Sequence, residues 1–190
     1  MATLRRAQPY ALRDEGEVTV RSAAPADARA VRALLDTVAA EPFTPILHLP
    51  GSCSLRTMRA EILEAAAAAD RIMLVAVVDG LLAGHLVLAG TRHPFSPHVA
   101  EVGLAVAADR RRLGVASALM GVALPWAARR PFRRVVAAVF PHNEAALRLF
   151  AAQGFRREGE RHEQYCRGGR YFAEVLLALT LAPVEAGERR

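Results

Sequence analysis

The chain has 190 residues, 53% of them hydrophobic and 23% charged, a balance that indicates one globular domain with a buried core. Its net charge of +6 comes from 25 basic residues that are all arginine. Because these arginines are scattered and lack interleaved aromatic residues, we expect no nucleic-acid partner. No apolar run reaches membrane-spanning length and the N-terminus has no signal-peptide core, so we expect a cytoplasmic protein that binds no membrane.

The first residues, 1–16, are polar and irregular and predict a flexible arm, followed by one domain over 17–181 and a flexible tail over 182–190. Apolar alternation and short apolar runs predict strands at 18–21, 71–78, 81–89, 99–106, 133–140, 159–166 and 171–179. Helical spacing predicts helices at 25–40, 55–69, from 115 onward and 144–153, the last capped by Asn143. Pro125 predicts a kink or a break in the third helix. This order predicts a mixed sheet covered by helices.

The stretch 99–120 combines a strand, a basic turn at 108–112 and the start of a helix. Free N–H groups at a helix start favour anions, a glycine allows close backbone approach, and arginines add charge. The pattern Arg111-x-x-Gly114-x-Ala116 therefore indicates an anion site that is neither a Walker loop nor a dinucleotide fingerprint. An ordinary strand-to-helix connection with solvated arginines is the alternative.

Two motifs resemble those of the GNAT superfamily of acyl-CoA-dependent N-acetyltransferases. Arg111-Arg112-Leu113-Gly114-Val115-Ala116 resembles its Arg/Gln-x-x-Gly-x-Gly/Ala loop, and 143–155, NEAALRLFAAQGF, resembles its Asn-x-x-Ala-x-x-Leu-Tyr-x-x-x-Gly-Phe signature. The resemblance covers 18–179 and implies an α/β (α+β) fold. In that fold a mixed, mostly antiparallel central sheet is flanked by helices and splayed between strands 99–106 and 133–140. It also implies acetyl-CoA as the acyl donor, a primary amine as the acceptor, and no metal.

The resemblance further implies which residues contact the donor. Strand residues would offer backbone groups to the pantetheine arm and thioester, and amides of the turn would bind the pyrophosphate. These residues are Leu104, Ala105 and Val106 in the strand, Arg111, Arg112, Leu113, Gly114, Val115, Ala116 and Ser117 in the turn and helix start, and Asn143 and Phe150 in the second motif.

Glu101 is the candidate general base. Direct transfer from a thioester requires that the amine lose a proton, because an alkyl ammonium has a pKa of about 10. Alternation places Glu101 on one strand face with Val99, Gly103 and Ala105, and a carboxylate on such an apolar strand is costly unless it is paired or used. The alternatives are a solvent-facing glutamate, an arginine partner, or a water chain that serves as the base.

Phe150 departs from the family pattern, which usually has a tyrosine there as the general acid toward the CoA sulfur. Phenylalanine cannot donate a proton, so the thiolate leaves unassisted, or Tyr165 or Cys166 substitutes, or activity is weak. Phe150 would then pack against the CoA arm or belong to the core. His93 and His98, in the loop before strand 99–106, are weaker candidates near the acceptor.

The leading functional hypothesis is an N-acetyltransferase that acts on a small molecule, an amino acid or a peptide N-terminus. The alternative is an acyl-CoA-binding regulatory domain that has lost catalysis, for which Phe150 is the main support. Residues 41–57, 90–98 and 160–171 are expected to shape the acceptor site, and a homodimer is one expected arrangement. Cys53 and Cys166 are expected to be reduced thiols.

Overall fold

The computed structural model describes residues 7–12, 16–41 and 48–181. In chain order, the strands are β1 Gln8–Ala11, β2 Glu17–Ser22, β3 Arg71–Val78, β4 Leu81–Gly90, β5 Val99–Val106, β6 Arg134–Val139, β7 Arg156–Arg167 and β8 Arg170–Thr180. The helices are α1 Ala28–Ala39, α2 Leu55–Ala67, α3 Val115–Ala128 and α4 Glu144–Ala152. Short 3₁₀ turns at Pro25–Asp27 and Ala108–Arg110 precede α1 and α3.

In the described residues, eight strands form one sheet in the order β1-β2-β3-β4-β5-β6-β8-β7. The pairs β1–β2, β2–β3, β3–β4, β6–β8 and β7–β8 are antiparallel. The pair β5–β6 is parallel, and its register covers only Val99–Glu101 with Arg134–Val136. The predicted fold class, a mixed and mostly antiparallel sheet flanked by helices, is confirmed, and the short parallel register agrees with a splayed sheet.

One prediction about local structure is wrong. The irregular arm expected before residue 17 contains β1, which pairs with β2. This pairing satisfies the backbone hydrogen-bonding groups of β1, and local composition does not reveal such a partner. Of the two outcomes predicted at Pro125, a kink or a break, the break does not occur, since α3 continues to Ala128. Pro125 and Gly121, whose carbonyl loses its helical donor, are both exposed, so water can bond to that carbonyl. The predicted tail, 182–190, lies outside the described residues.

The described residues fall into two compact units. The first contains residues up to Ala89 together with Gly103–Ala123, and the second contains Gly90–Val102 together with residues from Leu124 onward. Both β5 and α3 therefore contribute residues to each unit. Among the helices of the described ranges, none combines the length and the apolar character that a bilayer crossing requires.

In the first unit, helices cover both faces of the sheet. One face carries a core cluster of Ala28 and Val31 from α1, Met58, Ile62 and Ala65 from α2, and Met73 and Val75 from β3. The next residue of β3, Ala76, faces the opposite side and pairs with Gly84 of β4. A Cβ atom at Gly84 would lie 3.0 Å from Cγ1 of Val115 and 3.1 Å from Cδ1 of Leu119. The start of α3 therefore packs closely on β4, which positions the turn before it.

In the second unit, β6, β8 and β7 form an antiparallel sheet that extends from Arg134–Thr180 pairing to the turn at Gly168 and Gly169. The hairpin β7–β8 is longer than predicted, because β7 begins at Arg156. Helix α4 places Phe150 against Phe155 with ring centroids 4.9 Å apart in an edge-to-face arrangement. This contact joins the end of α4 to the start of β7.

Candidate functional site

The turn between β5 and α3, which we call the basic turn, comprises Ala108–Gly114. Within it, Arg112 has φ 66° and Gly114 has φ 108°, so the backbone is left-handed at two positions. The carbonyl of Gly114 accepts from the amide of Ala118 at 2.9 Å, which makes Gly114 the residue that caps α3. The amides of Val115, Ala116 and Ser117 therefore have no partner within the helix, as the first turn of any helix requires. An anion at this end would meet these amides.

The three arginines of the basic turn differ in their partners. Arg111 donates to both carboxylate oxygens of Glu41 at 2.9 and 2.5 Å, and its Nε donates to the carbonyl of Val106 at 3.1 Å. Arg110 lies 3.5 Å from Asp79. Arg112 is exposed and has no partner within the described part of the chain. The structure thus leaves Arg112 as the cation of the turn that is open to an anion.

Strand β5, which precedes the basic turn, carries the other residues that are predicted to contact the acyl donor. Ala105 and Val106 are buried and Leu104 is half-buried. Ala105 packs in a core cluster with Leu34 and Val38 of α1. The side chains of this part of β5 are therefore engaged in the core, and contacts to a ligand would come from its backbone.

Glu101 lies in the second unit, at the point where the parallel register of β5 with β6 ends. Its side chain is exposed. Further along the same strand face, Gly103 has open space, because an added Cβ atom there would meet nothing within 4 Å. No arginine partner of Glu101 is found in the described residues, so the structure does not support the alternative of an ion-paired glutamate.

A second group of polar residues, which we call the tyrosine cluster, comprises Tyr165 and Arg161 of β7 and Glu174 of β8. Glu174 is buried, with 3% of its surface exposed. Its Oε1 accepts from the hydroxyl of Tyr165 at 2.5 Å and its Oε2 accepts from Arg161 at 2.9 Å. Burial, and then the bond to Glu174, raise the pKa of Tyr165 to about 12, with a smaller contribution from the charge of Glu101. Tyr165 is therefore a protonated phenol at neutral pH.

Aromatic rings surround the tyrosine cluster. The ring of Phe140 contacts Tyr165 and Phe172 edge-on, with centroids 5.7 and 6.0 Å apart. His142 stacks on Phe140 at 5.4 Å. These rings form an apolar wall beside the tyrosine cluster, whose buried carboxylate is already paired with Arg161.

The second motif is placed as its sequence predicts. Asn143 caps α4, since its Oδ1 accepts from the amide of Ala146 at 3.1 Å. Phe150 is buried, with 4% exposed, against Phe155. This burial supports the interpretation of Phe150 as a core residue. His93 and His98 are both exposed.

The sequence analysis missed Glu41, which pairs with the basic turn, and Glu174, which belongs to the tyrosine cluster. It also missed the buried His85. Glu174 could have been found, because it is the one carboxylate within the apolar run 171–179. Glu41 gives no local signal, since its partner is distant in the sequence. His85 of β4 is buried, its Nε2 has no hydrogen-bond partner among the described residues, and burial lowers its pKa to about 4. Within the described part of the chain, no group of three His, Cys, Asp or Glu side chains could hold a metal ion.

The comparisons with known proteins give consistent results. The model of the acetyltransferase (GNAT) family matches residues 38–155. The L-amino acid N-acetyltransferase AaaT of Escherichia coli K12 is 32% identical over 109 residues, which are 55% of this chain and 65% of that protein. The chain thus matches somewhat less than two thirds of the length of this curated relative.

Solved structures share the fold. An acetyltransferase of the GNAT family from Streptococcus pneumoniae has a TM-score of 0.79 at 22% identity, covering 87% of this chain and 99% of that one. A phosphinothricin acetyltransferase from Sinorhizobium meliloti, solved in complex with acetyl-CoA, has a TM-score of 0.78 at 18% identity, covering 89% and 94%. Since the family model matches more than half of the sequence, and both predicted motifs lie on the expected elements, the chain belongs to the acetyltransferase (GNAT) family.

Proposed function

We propose that this protein is an N-acetyltransferase that moves the acetyl group of acetyl-CoA directly to a primary amine. The observation that carries the proposal is the basic turn, whose left-handed Arg112 and Gly114 lead into the unpaired amides at the start of α3. Such amides suit a diphosphate. The name of the Escherichia coli relative supports an amino acid as the acceptor.

The amine nitrogen loses two protons on the way from ammonium ion to amide, and the leaving sulfur gains one. The acceptor enters as an ammonium ion, and Glu101 takes its proton, directly or through a water. The free amine then attacks the thioester carbonyl and the new C–N bond forms. As the C–S bond breaks, the nitrogen loses its second proton, which balances the proton that the departing sulfur receives directly or through Tyr165. The thiolate leaves readily, because a thiol has a pKa of about 8.5. Exposed Glu101 can return its proton to solvent after each turnover.

Tyr165 is the proposed proton donor to the thiolate, in place of the tyrosine that Phe150 replaces. Its raised pKa keeps the hydroxyl protonated at neutral pH. The proton points to Glu174, so the hydroxyl has to exchange this partner for the sulfur during the reaction. A thiolate that leaves unassisted is the competing route, and Tyr165→Phe would then leave the rate unchanged.

Thiol release from acetyl-CoA, measured with a panel of L-amino acids, simple alkyl amines and short peptides, tests this function. We expect CoA release that depends on the amine, with an amino acid as the preferred acceptor, and acetylated product by mass spectrometry. The matched control is Gly114→Glu, which adds a side chain and a negative charge at a left-handed position and should abolish acetyl-CoA binding. Binding of acetyl-CoA without any thiol release would favour the alternative, an acyl-CoA-binding regulatory domain, which is supported by Phe150 because that residue has no hydroxyl to donate a proton.

A further inference from the structure

Arg111 opens the anion-binding motif, yet its side chain is bound within the protein. Both terminal nitrogens of the guanidinium donate to Glu41, at 2.9 and 2.5 Å, and Nε donates to the carbonyl of Val106 at 3.1 Å. Glu41 lies two residues after the end of α1, and Val106 is the last residue of β5. One side chain therefore joins the end of a helix, the end of a strand and the basic turn.

The basic turn needs such an anchor. Arg112, the next residue, is left-handed at φ 66°, a conformation that residues with a Cβ atom avoid unless their surroundings hold it. Among the described residues, the other bonds of the turn are few. The amide of Arg110 donates to the carbonyl of Ala107 at 2.9 Å, the amide of Arg111 reaches the carbonyl of Ala108 only at 3.5 Å, and the side chain of Arg110 lies 3.5 Å from the carboxylate of Asp79. The bidentate pair with Glu41 is charge-assisted and fixes the direction of the guanidinium plane.

We infer that Glu41 is a positioning residue for the diphosphate of the acyl donor, which it serves by holding Arg111 and thereby the shape of the basic turn. This inference rests on the proposed function for the identity of the donor. In this arrangement Arg111 is an internal anchor, and the exposed Arg112 is the cation that faces the ligand. Glu41 lies outside both motifs, and it affects the donor only through the turn.

The direction in which the affinity for acetyl-CoA changes distinguishes a positioning role of Glu41 from simple charge repulsion. A carboxylate near a site for a polyanion repels the ligand, so removal of its charge should tighten binding. Removal of Glu41 would also free Arg111 to bind a phosphate directly. A positioning role predicts the opposite result, because a loosened turn no longer directs its amides at one point.

The test uses the 190-residue chain and four variants: Glu41→Gln, Arg111→Lys, the double variant, and Asp79→Asn as a control. Asp79→Asn removes the negative charge that lies 3.5 Å from Arg110, the neighbouring arginine of the same turn, and it leaves the pair of Arg111 and Glu41 intact. Calorimetry gives the Kd of acetyl-CoA, and steady-state rates give KM for S-acetylpantetheine, a donor that lacks the diphosphate.

We expect Glu41→Gln to raise the Kd of acetyl-CoA by about tenfold, the loss of one well-placed charge-assisted contact. Arg111→Lys should raise the Kd by a similar factor, and the double variant should raise it little further, because both changes break the same anchor. KM for S-acetylpantetheine should change by less than about twofold. Asp79→Asn should leave the Kd unchanged or lower it. Tighter binding by Glu41→Gln, or equal losses for both donors, would overturn the inference.

A measurement without ligand keeps the two proposals distinct. If the parent protein did not bind acetyl-CoA, the proposed function would fail. Hydrogen exchange at the amides of 107–114 would still decide the role of Glu41. We expect Glu41→Gln to speed this exchange about tenfold while Asp79→Asn does not, because only the first releases the anchor. Unchanged exchange in Glu41→Gln would contradict the anchoring role whatever the binding result.

Discussion

Glu101 is the residue on which the proposed chemistry depends most, since it is an exposed carboxylate on β5 with no arginine partner among the described residues. We expect Glu101→Gln to lower kcat by about 100-fold, with the Kd of acetyl-CoA nearly unchanged, because only the proton transfer is lost. The defect should shrink as the pH rises and free amine becomes abundant. The pH–rate profile and the melting curve of one variant provide the measurement.

The control for this prediction is Glu158→Gln, which removes an exposed glutamate that pairs with Arg134. It should leave the profile parallel to that of the parent. If Glu101→Gln also gave a parallel profile, a water held by backbone carbonyls would replace Glu101 as the base.

After burial, Glu174 is the second cause of the raised pKa of Tyr165, because a carboxylate that accepts the hydrogen bond of the phenol opposes loss of its proton. We expect Glu174→Gln to lower the pKa of Tyr165, although burial, the larger cause, keeps it above its ordinary value. Phenolate absorbance at 295 nm should therefore appear at lower pH than in the parent. The chain contains Tyr10 and Tyr171 as well, so the signal of Tyr165 is the difference from a Tyr165→Phe background. If the pKa of Tyr165 were unchanged in Glu174→Gln, the hydrogen bond to Glu174 would not contribute to it.

At the scale of elements, the contact between β4 and α3 depends on the absence of a side chain at Gly84. Its missing Cβ atom would lie 3.0 Å from Val115, the first residue of α3. We expect Gly84→Val to destabilise the protein by about 1–3 kcal/mol, because a branched side chain overpacks this interface. Chemical denaturation measures the change.

Gly103→Ala is the matched substitution on the neighbouring strand, since its Cβ atom would meet nothing within 4 Å. We expect it to change stability by less than about 0.5 kcal/mol. A similar loss for both variants would mean that strand glycines matter here for backbone reasons and that the packing of α3 is not the cause.

At the scale of the whole molecule, His85 makes folding sensitive to acid. Burial lowers its pKa to about 4, from about 6.5 in an unfolded chain. Below pH 6.5 the unfolded state binds the extra proton first, so stability is full above that pH and falls toward pH 4. The shift corresponds to a loss of roughly 3 kcal/mol across this window.

His85→Leu removes both the proton site and a buried nitrogen without a partner. Thermal melts between pH 7.5 and 4.5 should show the variant gaining stability over the parent as the pH falls. The exposed His98→Gln should follow the parent curve. Parent and His85→Leu curves that fell in parallel would assign the acid sensitivity to carboxylates alone.

Apart from β1, the order of the elements and the two motifs were predictable from the sequence, because periodicity, turns and caps are local. The basic turn and the Asn143 cap could be located this way, since each involves residues only a few positions apart. The partners of the charged side chains could not. Arg111 was expected to face a ligand and instead bonds to Glu41, 70 positions away, and Tyr165 bonds to Glu174 across a hairpin. Such pairs form only when folding brings distant strands and helix ends together, and burial then decides which carboxylate stays exposed and which is enclosed.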